Sequence, residues 1–228
     1  MKPNAPTRSD KPVPNLLVPA CLGTELFTTS DQPEKIKAVW CPGETPLVVV
    51  VGPNACGKSL FRRVAGQFTR QEWGAEYISI SMEQRRHGLF ERAFIYGDEM
   101  FDATGDNSAM TILKGIVTCR TREAPVVIFW DEPDLGLSDE YAAGAGQTLA
   151  EFALNPGEHT CAAFVVSHNR HLLRELIPLK PSYLCLGSTD FPSLQSWVER
   201  EVRPAKIEGL RERGRKTFHM LRPYIKRG

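Results

Sequence analysis

Residues 47–51 read LVVVV, five consecutive apolar positions of which four are β-branched. An unbroken run of this kind predicts a strand covered on both faces rather than one with a wet side. After a short glycine-containing turn, Leu60, Phe61, Val64, Ala65 and Phe68 recur at helical spacing. YISIS (77–81) predicts a second strand. Ile112, Leu113, Ile116 and Val117 predict one face of a helix, and VVIFW (126–130) a further fully buried strand. Residues 139–154 read as a helix weakened by Gly144 and Gly146. AAFVV (162–166) and YLCL (183–186) are the remaining strands, and 193–225 reads as helix interrupted at Pro204. Strands alternating with helices predict an α/β fold, with a mostly parallel central sheet flanked by helices. Upstream, residues 15–45 mix short apolar runs with the turn signals CLG and CPGE, which predicts a small N-terminal antiparallel hairpin region. The Pro-, Asn- and Ser-containing start predicts a disordered lead-in over 1–14. One domain would follow over 15–190, then a basic helical extension over 191–228.

Composition changes this picture little. The 228 residues are 42% hydrophobic and 24% charged with a net charge of +1, an ordinary globular balance that implies no partner by bulk charge. No run approaches 18 apolar residues, so no membrane span is expected, and the start lacks the apolar segment of a secretory signal. Six cysteines stand at 21, 41, 56, 119, 161 and 185 without a CxxC pair. That spacing fits reduced thiols in a cytoplasmic protein better than a disulfide framework or a zinc site.

Chemistry enters directly after the first strand. GPNACGKS (52–59) meets the pattern GxxxxGK[ST] with Gly52, Gly57, Lys58 and Ser59. Glycines let the backbone wrap a polyphosphate with its N–H groups inward, and the start of the following helix adds favourable partial charge. Lys58 reaches β- and γ-phosphates and Ser59 ligates Mg²⁺, with Pro53, Asn54, Ala55, Cys56 and Leu60 completing the loop. Cys56 is read either as a reactive thiol or, more simply, as a small residue that suits the loop.

The strand VVIFW ends in the acids of DEPDLGLS (131–138). Asp131 can hold Mg²⁺, directly or through water, and Glu132 can orient and deprotonate an attacking water. A phosphate loop followed by two such carboxylates predicts nucleotide hydrolysis rather than phosphate binding alone.

DEP followed by LGLS resembles the Walker B motif and D-loop of ABC-type ATPases, although Ser138 stands where that family usually carries Asp and Asp139 comes next. FVVSHNRHLLREL (164–176) resembles their switch region, which implies that His168 contacts the γ-phosphate or aligns the water. Counting back from Asp131 at the family's spacing reaches Ser108 in TGDNSAMTILKGI, the place of the signature helix that meets the other subunit's nucleotide. Pro125 matches a proline often found before the Walker B strand. The glycine pair and glutamine of the family signature are absent. Asn107 or Ser108 would cap the helix that follows. Gln84, after the 77–81 strand, is the position for sensing Mg²⁺ and the attacking water, and Phe27 or Trp40 is the option for stacking on adenine.

Asp131 follows Lys58 by 73 positions, too short for the helical subdomain of a transporter motor or for an inserted coiled coil. The compact spacing is closer to MutS-type and SMC-like heads, and DEPDLGLS resembles the corresponding box of OLD-like defence ATPases. The resemblance implies an ATP- and Mg²⁺-dependent head that dimerises around two nucleotides and acts as a switch on a partner, in DNA repair, maintenance or anti-phage defence. A transporter motor, a nucleotide-binding interaction module with little hydrolysis and, more remotely, a small-molecule kinase are the competing readings. Residues 206–228 carry eight Lys/Arg and two acids, a net charge of about +6 that suits nucleic-acid phosphates or simply a solvated helix face. Arg85, Arg86 and His87 form a second basic cluster open to the same two readings.

Overall fold

The computed structural model describes residues 13–28, 35–81 and 104–225, with side chains described as far as His219. The lead-in expected over 1–14 lies outside these residues except for Val13 and Pro14. Gln84 and the cluster Arg85–His87 also lie outside them.

The fold is α/β. In chain order it runs α1 (Pro14–Leu22), β1 (Phe27–Thr28), β2 (Ile36–Cys41), β3 (Leu47–Val51), α2 (Lys58–Trp73) and β4 (Glu76–Ser81). It continues with α3 (Thr104–Thr121), β5 (Val126–Asp131), α4 (Asp139–Leu154), β6 (Thr160–Val166), α5 (Arg170–Leu176), β7 (Ser182–Leu186), α6 (Leu194–Glu199) and α7 (Ile207–Ile225). The strands form one sheet in the order β1-β2-β7-β3-β6-β5-β4. Every pairing is parallel except β2 with β7.

The runs that read as doubly buried strands are so. All five residues of β3 are buried, and their side chains alternate between the two faces of the sheet with the period of 2 that a strand imposes. Val49, Ile128, Trp130 and Val165 face a core shared with α3, α4, α5 and α6. Val48, Val50, Phe129, Phe164 and Val166 face a second core shared with α1 and α2. On that side Phe129 and Phe164 stack with centroids 5.3 Å apart, and Phe61 of α2 meets Phe164 at 5.8 Å. Helices therefore cover both faces of the sheet, which is why its inner strands β3, β6 and β5 carry no polar side.

The N-terminal hairpin does not form. Residues 14–22 are helical: Pro14 occupies the first turn, where a missing N–H costs nothing, and Leu17, Val18 and Cys21 pack inward. β1 pairs parallel, not antiparallel, with β2, Phe27 opposite Ile36. The antiparallel partner of β2 is the distant β7, with Ala38 opposite Leu186. Of the two segments that read as turns, CLG ends α1 with Gly23 as its C-cap, and CPGE crosses between β2 and β3, which are not neighbours in the sheet.

Two other expectations shift. On α3 only half of the predicted face is inside: Ile112 and Ile116 are buried, whereas Leu113 and Val117 are 49% and 59% exposed. The buried stripe is instead Asn107, Ser108, Thr111, Ile112, Gly115, Ile116 and Cys119. At the C-terminus, Leu194, Trp197 and Val198 of α6 are buried in the main core, so the basic extension leaves the body after Glu199 rather than at 191. Residues 200–206, including Pro204, form the break before α7.

Candidate functional site

Sheet register brings the chemistry together. Val166 is opposite Val50 on one side and Asp131 on the other, so the C-terminal ends of β3, β6 and β5 lie at one level. The loop leaving β3 carries 52–57, the turn leaving β6 carries Ser167 and His168, and β5 ends in Asp131 and Glu132. β6 sits between the other two, so at about 4.8 Å per strand the acids stand roughly 10 Å across the sheet from the strand that feeds the loop. That gap leaves room for a ligand above β6, the crevice at strand ends where open α/β sheets bind ligands.

The loop has the backbone conformation its glycines permit. Gly52 and Gly57 have φ of 147° and 102°. A side chain at Gly52 would bring its Cβ within 2.2 Å of the Leu186 carbonyl oxygen, and at Gly57 within 2.5 Å of Ile36 Cδ1. Gly57 is also the N-cap of α2, and no side chain caps that helix end. The first-turn N–H groups are thus left without a side-chain acceptor, the arrangement that suits an anion. Lys58 Nζ donates to the carbonyls of Gly52 and Pro53, each at 3.0 Å, which folds the ammonium back over its own loop. Cys56 is buried against Gly187, and burial raises its thiol pKa, with Lys58 opposing that shift. Burial thus favours the neutral thiol at Cys56, a small buried residue of the loop.

A cavity of about 380 Å³ is lined by Asn54, Ala55, Cys56, Gly57, Lys58, Ser59, Leu60, Asp131, Glu132 and Thr217. It gathers the loop and both acids in one place. Glu132 holds a left-handed φ of 55°, with its N–H donated to the Val166 carbonyl at 2.9 Å. A non-glycine residue in that region costs of order 1 kcal/mol or more, and such residues cluster at active sites and ligand clamps. The conformation leaves the Glu132 side chain 42% exposed beside the cavity.

His168 Nε2 stands 3.9 Å from Glu132 Oε1. Burial, helped by the positive charges of Lys58 and Arg200, lowers the His168 pKa from the ordinary 6.5 to about 4. The imidazole is neutral at pH 7, so the contact with Glu132 is polar and not an ion pair.

Other predicted residues fall elsewhere. Ser108 is fully buried and its hydroxyl donates to the Leu135 carbonyl at 2.6 Å. Because α3 is already helical from Thr104, neither Asn107 nor Ser108 is its N-cap. As placed, Ser108 ties α3 to the turn after β5 and presents nothing to a second subunit. Phe27 is buried edge-on against Phe61, and neither it nor Trp40 lines the cavity, so neither stacks on a base there. Ser138 precedes α4 without capping it and donates to Glu140 instead.

Several contributors escaped the sequence reading. Arg62, 5% exposed in the buried stripe of α2, places Nε 3.6 Å from Asp131 Oδ2 and donates to Ser79 and Ser81 on β4. A lone arginine on an otherwise apolar helix face was its signal. Asp134 bonds to Ser167, and burial raises its pKa. Arg200 lies over the Trp197 ring at 3.8 Å and adds to the positive field around His168. Thr217 of α7 reaches the loop itself, donating to the Ala55 carbonyl at 2.7 Å.

No protein-family model matches the chain, and no curated protein matches it. All six cysteines are free, and no helix among the described residues is long and apolar enough to cross a membrane.

Proposed function

We propose that this chain is a Mg²⁺-dependent ATPase with a P-loop of the ABC type. The observation that carries the reading is the shared cavity: the loop 54–60 on one wall, Asp131 and Glu132 on the other, and neutral His168 beside Glu132. Uncapped N–H groups and Lys58 would take the β- and γ-phosphates. Ser59 and Asp131, which line the same cavity, are the residues that would hold Mg²⁺, which supplies charge neutralisation on the phosphates. One carboxylate plus substrate oxygens is an ordinary way for a protein to keep that ion, and no cluster of three or more His, Cys, Asp or Glu is present among the described residues. Glu132 accepts the proton of the attacking water, and His168, uncharged at pH 7, orients that water or the γ-phosphate through a neutral hydrogen bond.

On this reading the protein is a cytoplasmic switch that pairs with a second copy on binding ATP and acts on a partner in DNA repair, maintenance or defence. The basic segment 206–228 is then available to nucleic acid. The burial of Ser108 favours a second reading, in which the chain binds nucleotide and hydrolyses it slowly because it lacks an exposed signature residue.

Glu132→Gln tests the assignment. With ATP and Mg²⁺ the variant should lose turnover by about 10²-fold or more, retain nucleotide and run in solution at the mass of a dimer. Undiminished hydrolysis by a monomer would sink it. Stimulation of the wild-type rate by DNA separates the switch from the slow binding module.

A further inference from the structure

The C-terminal helix does not simply trail into solvent. Thr217 binds the phosphate loop through the Ala55 carbonyl and lines the 380 Å³ cavity. It also lines a second cavity of about 540 Å³, walled by Lys35, Lys37, Asp190, Phe191 and Arg213 among others. Ala55, Cys56 and Thr217 are common to both, so the helix stands at the junction of two adjoining spaces. We propose that α7 is a clamp on the nucleotide site in cis, in which Thr217 ties the helix to the phosphate loop and Arg213 is the residue that meets a bound nucleoside triphosphate.

Three observations carry this, and it rests on the nucleotide reading above. First, the helix and a phosphate do not compete. Thr217 takes a carbonyl of the loop, whereas a polyphosphate takes the loop's N–H groups. Second, the charge has the right sign. Leaving aside Lys37, which has a partner of its own, the second cavity presents Lys35 and Arg213 with Asp190 as the acid among its described lining residues, a lining that suits an anionic ligand. Arg213 lies one helical turn before Thr217, on the same side of α7, and its charge is felt at the Cys56 thiol inside the loop. Third, over residues 207–219, the part of α7 whose side chains are described, the residues are exposed apart from half-buried Gly214 and Thr217, and Ile207 and Phe218 are 78% and 57% exposed. A bound anion beside Arg213 adds to the contact that Thr217 makes with the loop, and so favours the docked position of the helix.

The test uses the full chain, a non-hydrolysable ATP analogue with Mg²⁺, and titration calorimetry. Thr217→Val should weaken binding about fivefold, the worth of one hydrogen bond, and Arg213→Ala about tenfold, that of a charge-assisted contact. In parallel, the analogue should slow tryptic cleavage at Arg211–Lys216. Unchanged affinity in both variants, with normal binding by the wild type, overturns the clamp and leaves the nucleotide site standing. Faster cleavage with nucleotide also overturns it, because α7 is then displaced rather than closed. If the wild type does not bind the analogue, or Lys58→Ala binds it equally well, the site reading itself fails and the clamp with it.

Discussion

Arg62 and Asp131 form a largely buried ion pair, Nε to Oδ2 at 3.6 Å, between the second turn of α2 and the end of β5. The acid proposed to hold Mg²⁺ is therefore already balanced by a cation from the helix that follows the phosphate loop. Removing one partner of such a pair leaves the other charge poorly solvated, which costs more than the pair itself gains. Arg62→Met should destabilise the fold by about 2–4 kcal/mol. For a chain of this length that is roughly 5–15 °C in Tm, read by thermal denaturation. Adding Asp131→Asn in that background should restore about 1–2 kcal/mol, and strictly additive effects would show that the two residues are not coupled.

The sheet and the site were legible to different degrees, for physical reasons. LVVVV, VVIFW and AAFVV announce themselves because strands covered on both faces need no polar alternation. The turn at 52–57 does so because its two glycines stand where the backbone takes a positive φ. The helix at 14–22 was hidden because Pro14 fell in the expected lead-in and CLG read as a turn, although a proline in the first helical turn is harmless and CLG is where the helix ends. The parallel pairing of β1 with β2 could not be read locally, since the partner that fixes β2 is β7, some 145 positions away. Ser108 misled because capping residues and buried helix serines look alike until a carbonyl such as that of Leu135 is in view. Thr217 on Ala55 is a contact across 162 positions, with no local signature at all.

Lys58 supplies the next prediction. Its ammonium now satisfies two carbonyls of its own loop, so Lys58→Ala should cost only about 1–2 kcal/mol of stability. The larger effect is on ligand linkage. ATP with Mg²⁺ at a hundred times its dissociation constant stabilises a binding-competent protein by about 2.7 kcal/mol, roughly 5–10 °C here. Wild type should show that shift by differential scanning fluorimetry, and Lys58→Ala should show almost none. Equal shifts in the two proteins would remove Lys58 from the phosphate site.

His168 makes stability depend on pH in a defined direction. Its folded pKa is lowered to about 4 by burial first and by the charges of Lys58 and Arg200 second, while Glu132 faces it at 3.9 Å. Between pH 4 and 6.5 the unfolded chain binds more protons at this residue than the folded one. Its contribution is complete above about pH 6.5 and is lost as the pH falls toward 4. The Tm of wild type should therefore drop more steeply from pH 7 to 4.5 than that of His168→Asn. Parallel Tm curves over that window would mean that the imidazole is not held neutral by its surroundings.

Ser108 separates a structural tie from a signature contact. Buried and bonded to the Leu135 carbonyl three residues after Glu132, it positions the turn that follows the acids and has no surface to offer a partner. Ser108→Ala leaves that carbonyl short of a donor and should cost about 1 kcal/mol of stability. If the tie is its whole role, the folded variant should hydrolyse ATP within about twofold of wild type, a rate ratio worth under 0.5 kcal/mol of barrier. A residue that completes a neighbouring subunit's nucleotide site behaves otherwise, because it stabilises charge in the transition state. Its loss should then lower turnover by 10²-fold or more and abolish the ATP-dependent dimer. Measuring turnover and solution mass together on Ser108→Ala decides between the two. A large loss of rate in a well-folded variant would require α3 to rearrange on nucleotide binding, so that Ser108 leaves Leu135.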